Sequence, residues 1–371
     1  MRRPLLACAA SATAVAVLGA SAVLVNDGYE QSPGQGELRT VTQGLEATGP
    51  PMKVPKRSGP RVETPPPPPP PISKEDRRQA GKESAREKLR KQERLRRRAL
   101  TAEAVARAQL ATNFRVASFN VLGASHTGGA AGRAGFGAGS SRMAMAVSYL
   151  RARAIDVVGF QEFEDPQYTA FANTAGEYAV WPARALGPKS IRFSIAWRTT
   201  TWTLAEARSI GSPYAGGGYI QMPYVKLRHN VTGREVWFAN FHNPADTPSL
   251  GRNARWRAIA TGIQTALAKR LRSETGLPVI ITGDMNERAA YFCPMTVRTD
   301  LGAANGGSTG AACVPPRAMQ VDWIFGSSDL VFSNYLADRS APVPRMTDHP
   351  VVSADVYLAP GPDADPYAGN E

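Results

Sequence analysis

Cysteine is scarce in this chain, with 3 among 371 residues. Cys8 lies inside an N-terminal apolar run, which leaves Cys293 and Cys313 for the remainder. Neither has a histidine or a second cysteine nearby at ligand spacing, so a zinc site is the weaker reading and a disulfide the stronger one. Long apolar runs are equally rare. After the first two dozen residues no segment is long enough to span a bilayer, so the body is expected to be soluble. The Gly-rich stretch "GASHTGGAAGRAGFGAGS" lacks the Lys-Ser/Thr ending of a triphosphate-binding loop and is too irregular for a dinucleotide fingerprint. No Arg/Lys cluster interleaved with aromatics marks a duplex-binding groove in the body.

The formal charge of +13 suggests a polyanion partner until it is located. Residues 51–110 carry 17 Lys/Arg against 7 Asp/Glu, whereas residues 111–371 carry 24 against 20. The basicity therefore belongs mainly to a segment ahead of the body, and bulk charge says little about what the body binds.

Five segments follow from these shifts in composition. Residues 1–24 open with Arg2 and Arg3 before an Ala-rich apolar run, the pattern of a signal peptide or a membrane anchor. The expected location is therefore outside the cell or at the outer face of its membrane. Residues 25–73 read as a spacer, stiffened by the proline run Pro65 to Pro71. Residues 74–110 are rich in helix formers and poor in hydrophobes, so a solvated basic helix is expected, with 74–98 available to an anionic surface or polymer. Residues 111–360 form the body, and 361–371 a tail.

Within the body, "FRVASFNVL", "DVVGFQEF", "SIAWRT", "WTLAEARSI", "YIQMPYVKLRH", "REVWFANFH", "LPVIITGD", "VDWIFG" and "VVSADVYLA" read as strands. "SRMAMAVSYLRAR" and "ARWRAIATGIQTALAKRLRSE" read as helices. Strands with two well-formed helices among them predict a layered α/β body.

Polar groups recur at the strand ends. Asn120 ends the first strand, Glu162 the second, and His242 a third; Asp284 and Asn286 follow "VIITG"; Asp322 opens "DWIF"; Asp348 and His349 precede the last strand. Gathered on one rim, these groups need a cation or an anionic substrate to balance them. Oxygen ligands without cysteine suit Mg²⁺, Mn²⁺ or Ca²⁺. Histidine supplies proton transfer near neutrality. The set suits metal-assisted attack of water on a phosphoester.

In this order the motifs "FNV", "QE", "FANFH", "GDMN", "DWIF" and "TDHPVV" resemble the DNase I-like superfamily of endonucleases, exonucleases and phosphatases. The resemblance implies a four-layer α/β sandwich, with two mixed β-sheets packed face to face between outer helices. It implies Glu162 as principal metal ligand, supported by Asn120 and Asp348. Asp284 would orient or deprotonate the attacking water, and Asn286 would hold the scissile phosphate. His349 paired with Asp322 would serve proton transfer, and His242 would contact phosphate or act as a second acid/base. Secreted nucleases of this family carry a disulfide in the interval that holds Cys293 and Cys313.

Two departures accompany the resemblance. In those nucleases the histidine equivalent to His242 has an acidic partner on an earlier strand, yet residues 183–205 contain no Asp or Glu, while Arg192 is available. The Gly-rich stretch after the first strand reads as a flexible insertion, although its His126 and Arg133 could reach substrate. The expected activity is a secreted nuclease on DNA, possibly RNA. The alternatives are a secreted phosphodiesterase or phosphatase acting on lipid headgroups or inositol phosphates, and a non-catalytic polyanion-binding surface protein. No obligate protein partner is indicated.

Overall fold

The computed structural model describes residues 71–129, 132–249 and 251–361. The proposed export segment and nearly all of the proline-rich spacer and C-terminal tail lie outside the described residues.

Helix α1 (Lys74–Ala108) is capped by Ser73, whose hydroxyl accepts from the Asp76 amide, and none of its residues is buried. Among the described residues no helix is long and apolar enough to cross a membrane.

The body contains β1 (Thr112–Asn120), α2 (Gly139–Ala152), β2 (Val157–Gln161), α3 (Asp165–Thr174), β3 (Tyr178–Trp181), β4 (Ile195–Arg198), β5 (Trp202–Pro213), β6 (Tyr219–His229), β7 (Glu235–His242), α4 (Ala254–Thr275), β8 (Val279–Asp284), α5 (Ala289–Arg298), β9 (Gly302–Ala303), β10 (Asp322–Gly326), β11 (Leu330–Asp338), the short α6 (Val343–Met346) and β12 (Val351–Leu358). The strands form two six-stranded sheets, ordered β11-β12-β1-β2-β4-β3 and β5-β6-β7-β8-β10-β9. Each sheet holds one parallel pair near its middle, β1 with β2 and β7 with β8, flanked by antiparallel neighbours. Both parallel pairs are βαβ units, crossed by α2 and α4 respectively. Such a crossover brings the C-terminal ends of its two strands to the same edge.

Side-chain alternation builds the layers. Phe114 and Val116 of β1 meet Val236 and Phe238 of β7 and Ile280 of β8 between the sheets. Ala117 and Phe119 point outward to Met143, Val147 and Leu150 of α2 and to Phe171 of α3. Trp237 and Ile281 point outward to Leu267 and Leu271 of α4 and to Phe292 and Met295 of α5. The result is the expected four-layer sandwich of two mixed sheets.

More elements exist than the two helices and nine strands expected in the body. α3 carries a readable start signal, since the Glu164 and Gln167 side chains form a reciprocal capping box with Pro166 in the first turn. α5 lacks a side-chain cap and contains Pro294, a residue that argues against helix in sequence. Strand β11 alternates weakly and is bulged between Ser333 and Leu336, which hides its period.

Approaching one end of the inter-sheet layer, the core turns polar. Asn240 donates through Nδ2 to the Phe160 and Phe193 carbonyls at 2.6 and 2.8 Å. Its Oδ1 accepts from Gln161 and Thr282 at 2.7 and 3.0 Å. Gly159 faces this group so closely that a Cβ there would stand 2.1 Å from Thr282 Oγ1 and 2.4 Å from Asn240 Oδ1. Gly159→Ala is therefore expected to push the sheets apart at this point and cost about 1–3 kcal/mol, read as a lower denaturation midpoint. A midpoint equal to that of the parent would show that the sheets separate freely here.

Candidate active site

The polar end of the sandwich is the edge where both βαβ units terminate. Asn120 closes β1 and pairs in register with Gln161, immediately before Glu162. His242 closes β7 and pairs in register with Asp284, the last residue of β8. Asp322 opens β10 opposite Asp284. Five strand ends from two sheets thus deliver their polar residues to one rim.

Local backbone geometry sharpens the placement. A Cβ on Gly283 would lie 2.3 Å from the Phe241 carbonyl, so the β7–β8 approach at the rim needs glycine. Asp284 Oδ1 accepts from the Asn286 amide at 2.9 Å, a turn that holds Asn286 at φ 51°. Glu162 likewise sits at φ 57°. Left-handed backbone at non-glycine residues is strained and collects at working sites. This is why "GDMN" leaves the strand so abruptly: the turn returns Asn286 to the rim.

Asn120 joins the two sheets. Its Nδ2 donates to Glu162 Oε1 and to Asp284 Oδ2, both at 3.0 Å. Glu162 also accepts from the Gly123 amide at 2.9 Å and lies 3.2 Å from His126 Nε2. Burial alone would raise the Glu162 carboxyl, but the His126, Gly123 and Asn120 hydrogen bonds hold it well below the usual range. It is a permanent anion at the rim.

His349 Nδ1 is held by both oxygens of Asp322, at 2.9 and 3.1 Å, so its Nε2 is turned to Asp284 Oδ2 at 3.7 Å. Burial pulls His349 down, yet the Asp322 hydrogen bond and the charges of Asp322, Asp284 and Glu162 outweigh it and lift the imidazole to about 9. Asp322, fully buried, is pushed up by burial and by the Asp284 charge. Thr347 anchors this segment by donating to the Asn120 carbonyl at 2.7 Å.

His242 differs. Its Nε2 lies 3.2 Å from Asn286 Nδ2 and 3.4 Å from Asp284 Oδ2, while its buried Nδ1 has no partner. Burial lowers its pKa and favours the neutral ring. The missing acidic partner noted in the sequence is thus missing in space as well. The ring sits against Phe193 and Tyr214.

The expected metal ligands are only partly gathered. Asn120 and Glu162 touch, but the Asp348 side chain is paired with Arg133. Asp284, Asp322 and His349 instead each offer a ligand atom within 4.8 Å of the others, a spacing that can hold a divalent ion. Two buried carboxylates side by side are a donor set that fits a hard cation. Such an ion would polarise a phosphoryl oxygen and take up leaving-group charge. Held protonated by Asp322, His349 would then be no ligand of the ion but a donor able to give a proton to a leaving oxygen, Asp284 can accept one from water, and the Asn286 and Asn120 amides can donate to anionic oxygens without adding charge.

The start of the Gly-rich stretch, which the sequence suggested to be a flexible insertion, is a fixed turn. A 3-10 turn over Ala124–His126 is pinned by the Ala124 amide on Gln167 at 3.0 Å and by the Ser125 amide and hydroxyl on Glu164, each at 2.7 Å. Two buried arginines also escaped the sequence reading. Arg142 ties the β1 exit to the segment before Asp348, and Arg257 holds the post-β7 loop through Asp246 and the Pro244 carbonyl and the post-β8 loop through Glu287. An arginine on a helix stripe otherwise made of core residues, as Arg142 is with Ala146 and Leu150, was the available signal. Cys293 and Cys313 form a disulfide, Cα to Cα 5.2 Å, which removes the zinc reading.

The sequence profile of the Endonuclease/Exonuclease/phosphatase family matches residues 117–349. No curated protein matches the chain. Among solved structures, the chain is similar to an endonuclease/exonuclease/phosphatase family protein from Bacteroides thetaiotaomicron, with 18% identity, a TM-score of 0.54, and 67% of this chain and 99% of the other covered. A counterpart from Bacteroides vulgatus gives 16%, 0.52, 67% and 99%. A mannosyl-6-phosphatase from Bacteroides thetaiotaomicron gives 18%, 0.50, 66% and 99%. At these identities the likeness is one of fold.

Proposed function

Because the chain belongs to the endonuclease/exonuclease/phosphatase family and is a metal-dependent phosphoesterase, we propose that it is an exported nuclease that cleaves phosphodiester bonds of DNA by attack of an activated water on phosphorus. One observation carries this reading. His349, held by Asp322, and His242, held against Asn286, face the same carboxylate, Asp284, from two directions. A diester needs protonation of a poor leaving oxygen as well as activation of water, and Asp284 with His349 beside it can serve both needs while His242 stands where it can hold the phosphate. The Cys293–Cys313 disulfide and the apolar N-terminal run support an oxidising destination outside the cytoplasm.

In this reading Asp284 orients and deprotonates water. His349 protonates the leaving group, His242 and Asn286 hold the scissile phosphate, and Glu162 with Asn120 and Asp348 supports the divalent ion, Mg²⁺ foremost, beside Asp284 and Asp322. The basic face of α1, within 74–98, would concentrate the polyanion without sequence preference and in a salt-dependent way.

Supercoiled plasmid is the test. Nicking by the full chain with Mg²⁺, abolished by EDTA and by His349→Ala, is the expected result. Intact plasmid together with turnover of small phosphate monoesters would replace the nuclease with a phosphatase.

A further inference from the structure

The turn that follows β1 carries two donors to the rim. His126 Nε2 lies against Glu162, and Arg133 is paired with Asp348. Neither is there by chance of a loose loop. Glu164 and Gln167 pin the turn, and the Arg133 amide donates to the His126 carbonyl at 2.8 Å. Gly129, at φ 72°, supplies the left-handed step between them. Both side chains remain about half exposed, at 49% and 53%. Each therefore has one side committed to a carboxylate and another open to solvent at the mouth of the site.

We propose that His126 and Arg133 bind a substrate phosphate flanking the scissile one, which makes a polynucleotide strand, and not an isolated phosphate ester, the preferred substrate. The inference rests on the nuclease reading. His242, Asn286 and His349 gather around Asp284, whereas His126 and Arg133 gather around Glu162 and Asp348. Asn120 touches Glu162 and Asp284 at once, so the two groups of donors are neighbours across a single side chain. A strand presents a phosphate at every nucleotide. One phosphate held by His242 and Asn286 brings the next to the adjacent side of the rim. A guanidinium forks across phosphate oxygens, and an imidazole N–H adds a second donor. Arg339, whose Nη1 reaches the Asp348 carbonyl at 3.4 Å, adds positive charge on the same side.

The test compares two substrates on the full chain with Mg²⁺: a single-stranded oligodeoxynucleotide, and bis(4-nitrophenyl) phosphate, a diester with one phosphorus. For Arg133→Ala, the ratio of kcat/KM on the oligonucleotide to that on the small diester should fall about tenfold, mostly through KM. The dependence of log KM on log salt should become shallower by about one ion. His126→Ala should shift the ratio in the same direction. An equal loss on both substrates would overturn the inference by placing Arg133 at the reacting centre, and an unchanged ratio would overturn it outright. In either case a parent enzyme that cuts the oligonucleotide leaves the nuclease reading standing. A parent that turns over only the small diester would overturn both.

Discussion

Asp284→Asn is expected to lower turnover of a phosphodiester by about 10²–10⁴-fold while leaving the thermal midpoint in EDTA no lower than that of the parent. The two halves of this result have separate causes. Asp284 is the rim carboxylate that both histidines and Asn120 approach, so it is the acceptor through which water can be activated. An amide of the same size cannot accept that proton. Stability responds in the opposite sense. Asp284 is buried beside Asp322, and its charge helps push Asp322 up. Removing one of two buried like charges relieves repulsion that His349 beside them offsets only in part. The lost hydrogen bond from Asn120 works against that gain. Steady-state turnover and a thermal melt in EDTA, measured on one preparation, check both halves. A fall in turnover accompanied by a collapse of the midpoint would make Asp284 a structural residue and remove it from the chemistry.

The largest effect on stability is expected at Arg142→Met. Arg142 is 1% exposed, and its guanidinium donates to the carbonyls of Gly137, Val121, Met346 and Leu122 at 3.0, 2.5, 2.8 and 2.6 Å. Burial lowers its pKa, which measures how much solvation it gives up to stand there. Methionine fills a similar volume but leaves these buried carbonyls without donors, at about 1–3 kcal/mol for a buried group stranded in this way. Shared over several carbonyls, with partial relaxation, the loss should reach about 3–5 kcal/mol, read by urea denaturation. Activity should fall as well, because the bonds to Val121 and Leu122 fix the exit from Asn120, and the bond to Met346 fixes the approach to Asp348 and His349. Lysine should restore less than half, since one ammonium cannot reach both sides as a five-donor fork does. A Met variant within about 1 kcal/mol of the parent would mean that the loops satisfy their carbonyls without Arg142.

Much of this protein could be read from its residues. Short apolar runs marked the main strands, which are buried on both faces, and their polar ends named the residues that meet at the rim, because strand ends of a βαβ unit share an edge. Asn120, Glu162, His242, Asp284, Asn286, Asp322 and His349 are local features of motifs, and local order places them at strand termini whatever the rest of the chain does. α3 was readable in principle from its capping box. α5 was not, since Pro294 argues against a helix that packing against Trp323 and Phe325 nevertheless forms.

What sequence alone determined is thus a set of candidate polar groups and the strand end at which each stands. Tertiary structure decided who touches whom. Asp348 turns to Arg133 instead of joining Glu162, Asp284 closes with Asp322 and His349, and His126 reaches Glu162 out of a stretch that looks structureless on paper. The physical reason is that these pairings span 27 to 215 residues of chain. No local propensity encodes a contact of that range; it exists only once two sheets have packed, a glycine at 159 has let them close, and a buried arginine has tied the loops between them.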